Sequence, residues 1–174
     1  MTFIAQGEYG NAIVSLRSSV ETRCKMYERL ENGVGRKLEA GHFQSLLVAC
    51  STRDEALVAQ FAKYYRADDG TPDSIYLGRT VKCLVMNDTE KAKAALGSKR
   101  PQIDSQFVGY VECLRAIAEK NRSRFIDAIK VASDGWAKWA SKKAKGLPDS
   151  VCFIQGVGLV CLATKVLDGA IQLP

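Results

Sequence analysis

One histidine, six cysteines and nineteen carboxylates are the side chains of this 174-residue chain best suited to chemistry, and their spacing assembles none of the familiar devices. His42 stands between Gly41 and Phe43 near the start of a short apolar stretch. A lone imidazole supplies no two- or three-histidine metal site. No serine or cysteine has a context marking it as that base's nucleophile, so a surface or capping role is expected for His42. Cys24, Cys50, Cys83, Cys113, Cys152 and Cys161 contain no CxxC pair, the usual announcement of zinc. Most have apolar neighbours, as in Val81-Lys82-Cys83-Leu84-Val85, where a free thiol behaves as a small hydrophobe. Gly156-Val157-Gly158 lies inside an apolar helical run without the lysine-serine of a phosphate loop. Glycine costs about 1 kcal/mol in a helix interior relative to alanine, so a second helix crossing closely at this point is expected. Carboxylates such as Glu28 and Glu31, or Asp68 and Asp69, read as solvated surface. No catalytic, cofactor-binding or metal-binding residue is assigned, and the chain is not expected to be an enzyme.

The charge of +6 is concentrated instead of spread. Residues 1–90 carry net −1, residues 91–145 net +8, and residues 146–174 net −1. An excess of this kind fits an acidic partner surface or nucleic acid, or only a solvated face that aids solubility. Phe125, Ile129, Ala132, Trp136 and Trp139 recur at steps of four and three, which places both tryptophans on an apolar stripe expected to face the core. At about 100° per residue, Arg124, Lys138, Lys142 and Lys145 are expected on the other side. These four are the candidate partner-binding residues. Exposed aromatic platforms for single-stranded nucleic acid are missing, and no nucleic-acid motif is present.

The elements that must position this ridge are all helical, since alternating strand-like runs are scarce. Apolar spacing predicts helices over about 9–32, 38–50, 54–66, 72–86, 90–96, 104–119, 121–145 and 150–168. Thr52-Arg53-Asp54-Glu55 reads as a capping box, in which hydroxyl and carboxylate satisfy orphan amides reciprocally. Thr71-Pro72 reads as an N-cap followed by proline at the first helical position. Short links favour antiparallel neighbours. The expected fold is therefore all-α, a single domain over 1–174 of about eight antiparallel helices packed as helical hairpins. Residues 72–96 and 104–145 look like two copies of one hairpin, with Gly78 and Leu84 matching Gly109 and Leu114. That offset is close to a tetratricopeptide period, so tetratricopeptide-like stacking is one arrangement of these hairpins, although the tryptophan, tyrosine and proline pattern of such repeats is missing. The opening MTFIAQGEYGN has no signal-peptide pattern, and the run Val151 to Thr164 is shorter than the ~20 residues that cross a bilayer. A soluble, cytoplasmic chain without a membrane contact is expected, with its thiols reduced.

Over roughly residues 36–172 the chain resembles the immunity protein 49 family of bacterial polymorphic toxin systems. The resemblance is carried by Tyr76-Leu77-Gly78 through Asn87-Asp88-Thr89-Glu90-Lys91-Ala92, by the helix pair around Phe125, and by Gly146-Leu147-Pro148-Asp149 before Val157-Gly158-Leu159-Val160-Cys161-Leu162-Ala163. It implies an all-α fold and a protein that neutralises a cognate toxin by forming a tight complex. It implies no catalytic residue and no cofactor. Inhibitors of basic toxins are often acidic, because opposite potentials speed association. The basic 91–145 stretch agrees better with a toxin that has an acidic face, or one held mainly through apolar contacts. The alternatives are a helical-hairpin adaptor for another protein or peptide and, more remotely, a nucleic-acid-binding domain.

Overall fold

A computed structural model describes residues 9–31, 43–66, 70–143, 152–169 and 171. Among them are eight α-helices and no strand. They are α1 (Tyr9–Glu31), α2 (Phe43–Cys50), α3 (Glu55–Tyr64), α4 (Pro72–Val85), α5 (Thr89–Gly97), α6 (Val108–Ala118), α7 (Arg122–Lys143) and α8 (Ile154–Val166), with a 3-10 turn, Ser105–Phe107, before α6. The chain is all-α, as the apolar spacing predicts. His42 lies outside the described residues, as do Asp68 and Asp69.

The short helix α2 is the hub. It packs against α1, α3, α4 and α8, and Leu46, Leu47 and Ala49 are completely buried. A helix of this length is not stable alone; the contacts on all sides hold it. The crossing expected from the paired glycines is here, where Gly158 of α8 lies directly on the Leu47 carbonyl. One contiguous core runs from Val20 and Cys24 of α1 through Phe43, Phe61, Leu77, Leu114 and Phe125 to Leu159 and Val166 of α8. On α1 the buried stripe begins at Ala12, and Ile13 beside it is exposed.

Two caps differ from expectation. Thr52 forms no capping box. Its hydroxyl donates to the Ala49 carbonyl at 2.8 Å, back toward α2. Asp54 caps α3, its Oδ1 accepting from the Leu57 amide at 3.1 Å. A carboxylate one residue from the helix complements the N-terminal dipole better than a hydroxyl further away. That amide bond, then the Arg17 guanidinium at 2.7 Å, holds the Asp54 carboxyl below its usual pKa. The Arg17 contact also ties α1 to α3. At α4, Thr71 is the N-cap residue with Pro72 behind it, yet its side chain makes no cap bond. Asp73 supplies one in its place, accepting from the Ser74 amide at 2.8 Å.

The α4–α5 and α6–α7 turns follow one hydrogen-bond scheme. In the first, the Asp88 amide reaches back to the Cys83 carbonyl at 2.8 Å, and Asp88 then caps α5 through the Lys91 amide. In the second, the Asn121 amide reaches the Ala116 carbonyl at 2.8 Å, and Asn121 then caps α7 through the Arg124 amide. Asp88 therefore corresponds to Asn121, and Leu84 to Ile117. The pairing of Gly78 with Gly109 and of Leu84 with Leu114 is out of this register. The glycines do different work as well, since Gly78 lies against the Tyr65 hydroxyl and Gly109 against the Ala132 backbone.

Each turn also places a non-glycine residue in the left-handed region, Asn87 at φ 59° and Lys120 at φ 54°. These positions follow the helix C-cap, where glycine is strongly preferred. Lys120 is exposed, so Lys120→Gly relieves the backbone and removes little else. A gain of about 0.5–1 kcal/mol in unfolding free energy is expected. Urea denaturation reads it, and a loss of stability would contradict the assigned turn.

Candidate functional site

Helix α7 carries the residues singled out as a ridge. Phe125, Ala128, Ile129, Ala132 and Ala140 are buried, mainly against α6. Gly109 allows this approach, because any side chain there would meet the Ala132 backbone. Lys130, Asp134, Lys138 and Lys142 are exposed, and Val131 is exposed among them. Lys130 lies 4.0 Å from Asp127. Lys138 and Lys142 form no ion pair with any described residue. Lys145 lies outside the described residues.

Arg124 differs from the two lysines. Its guanidinium bridges Glu119, just past the end of α6, at 2.7 Å and Glu112, in the middle of α6, at 2.9 Å. Glu112 also holds Arg115 at 2.8 Å. Arg124 thus serves first to join α7 to α6, and Lys138 and Lys142 remain as the cations directed at solvent.

The tryptophans are half-buried, not core residues. Trp136 stacks on Phe153 with centroids 5.5 Å apart and planes at 21°. Phe153 meets Tyr110 edge-on at 5.8 Å, and Tyr110 belongs to a triangle with Phe43 and Phe107. Trp139, one turn further, pairs with no ring among the described residues. It forms one wall of a surface depression of about 250 Å³ shared with Phe43, Phe107, Asp73, Ser74 and Gln106. Lys138 precedes Trp139 in the chain, and Lys142 follows one turn later. A half-exposed indole on an aromatic-walled depression, with two lysines nearby on the same helix that form no ion pair among the described residues, has the composition of a protein-binding hot spot.

The thiols make no second centre. Cys24, Cys50 and Cys113 are buried, and Cys83, Cys152 and Cys161 half-buried. Burial pushes the Cys50 thiol up to about 12 and also raises Cys113, Cys24, Cys83 and Cys152. Thiols held protonated are poor nucleophiles and poor metal ligands. No group of three His, Cys, Asp or Glu residues placed to hold a metal ion occurs among the described residues. No helix among them is long and apolar enough to cross a membrane.

Fold and surface together define the chain as an all-α domain with a cationic, tryptophan-bearing helix face. No family model, no curated protein and no solved structure matches it.

Proposed function

We propose that this chain acts by binding another protein through the outer face of α7, as the immunity partner that neutralises a cognate bacterial toxin. The observation that carries the binding face is Trp139, which walls a surface depression and pairs with no ring among the described residues, with Lys138 and Lys142 near it on the same helix. Tryptophan contributes large contact area at low entropic cost, and such residues dominate interface energies. The toxin assignment rests on the resemblance of the two helix pairs and of the small-residue helix α8 to immunity protein 49 sequences. An acidic toxin face is the complement of the lysines, which accelerate encounter more than they tighten the final complex.

Co-expression with the toxin encoded beside the gene tests this reading. Wild-type protein rescues growth and forms a one-to-one complex. Lys138→Glu combined with Lys142→Glu lowers the association rate constant at least tenfold at low salt, with the helical fold retained by circular dichroism. Unchanged association in that double variant would remove the α7 face from the interface. Failure of the wild type to rescue would remove the toxin assignment itself.

A further inference from the structure

A cleft of about 360 Å³ opens on a face formed by the end of α2, the start of α3, the end of α4 and the second half of α8. Its volume is at the small end of the range for ligand sites, roughly 300–1,000 Å³. Val58, Val85 and Val160 give it apolar walls, and Cys161 contributes a half-buried thiol. The polar groups gather at the mouth. Arg53, on the left-handed turn after α2, is exposed and forms no ion pair among the described residues. The Lys165 ammonium is held only loosely, 3.5 Å from the Val85 carbonyl and 3.7 Å from the Glu55 carboxylate. Among the described residues the ammonium has no acceptor closer than 3.5 Å. The Thr164 hydroxyl, also lining the cleft, makes no hydrogen bond with a described residue.

We infer that this cleft is a binding site for a free, short aliphatic carboxylate, its hydrocarbon chain lying along the valines and its carboxylate received by Lys165 and Arg53. Among the described lining residues, two cations stand against the single carboxylate of Glu55, a positive excess that favours an anionic head over an amine. The ammonium lacks a strong acceptor, and a carboxylate supplies charge-assisted ones. Apart from the Thr164 hydroxyl and the Cys161 thiol the walls are apolar, so the remainder of the ligand is mainly hydrocarbon. The restricted volume selects a short chain over a membrane lipid.

Calorimetric titration of the full chain with hexanoate, octanoate and decanoate, and with 1-octanol as the headless control, tests the assignment. Affinity rises roughly fourfold per added methylene until the cleft is filled, the ratio expected for full burial of each group. Octanol binds at least tenfold more weakly than octanoate. Lys165→Gln weakens octanoate at least fivefold while leaving octanol unchanged. In the wild-type protein, octanoate slows maleimide modification of Cys161, read by peptide mass spectrometry, without slowing Cys83 or Cys152, which lie outside the cleft. Equal affinity for octanol and octanoate overturns the charge argument. Absence of saturable binding, or an unprotected Cys161 at saturation, overturns the site. A pentapeptide ending in leucine that displaces octanoate at lower concentration overturns the assignment to a free acid.

Discussion

Gly158→Ala is expected to destabilise the protein by about 2 kcal/mol or more, although alanine is the better helix former. Two effects of opposite sign compete. Alanine gains about 1 kcal/mol over glycine in a helix interior. Against that, a Cβ at position 158 collides with the carbonyl oxygen and carbon of Leu47. The obstacle is backbone on the hub helix α2, and no rotamer change can clear it. Overpacking of a core costs typically 1–3 kcal/mol and more where backbone must move, so the steric cost wins. The contrast is Gly97, at the end of α5, where a Cβ meets nothing within 4 Å. Gly97→Ala has only the entropic gain, and about 0.4–1 kcal/mol of added stability is expected. Gly156 is an intermediate case, since its Cβ would meet the ring of Phe153, a side chain that can turn. Urea melts of the three variants should therefore fall in the order Gly97, Gly156, Gly158, from most to least stable. A Gly158→Ala protein as stable as the wild type would mean that α2 and α8 do not cross at Leu47.

That crossing shows what the sequence discloses and what it withholds. Two glycines in an apolar helical run announce a close neighbour, because little else offsets their cost, but they do not say which one. The neighbour is more than a hundred residues earlier in the chain. Helix order was legible for a local reason: spacing of three and four is a property of neighbouring residues. The cap at Asp54 was misread because Thr52 and Asp54 both satisfy the local pattern, and the choice depends on where α2 releases the chain. The hairpin register was misread because Gly78 and Gly109 are alike in type and unlike in contact. Arg124 followed the same logic. Helical angle alone groups it with Lys138 and Lys142, whereas Glu112, twelve residues away on another helix, determines that its charge is already paired. The carboxylate-binding cleft had no sequence signal at all, since its walls come from four separated segments that only the fold unites.

The two tryptophans of α7, three residues apart, are expected to fail in different assays. Trp136→Ala removes the ring stacked on Phe153 and unsupports the contact that Phe153 makes with Tyr110. A buried Trp→Ala change costs about 3–5 kcal/mol; half-burial reduces the expected loss to about 2 kcal/mol of folding stability. Trp139 has no ring partner among the described residues, so Trp139→Ala should lower stability by less than about 1 kcal/mol. Its effect belongs to the partner complex. An aromatic anchor in a closed interface is worth about 2 kcal/mol or more on truncation, equivalent to roughly thirtyfold in Kd, carried mostly by faster dissociation. The lysine reversals, by contrast, act on association. Dissociation kinetics on Trp139→Ala and association kinetics on the Lys138→Glu, Lys142→Glu protein thus separate an interface centred on this depression from simple charge attraction. A Trp139→Ala protein that dissociates from the toxin at the wild-type rate would leave the depression outside the contact, even if the lysines still steered the encounter.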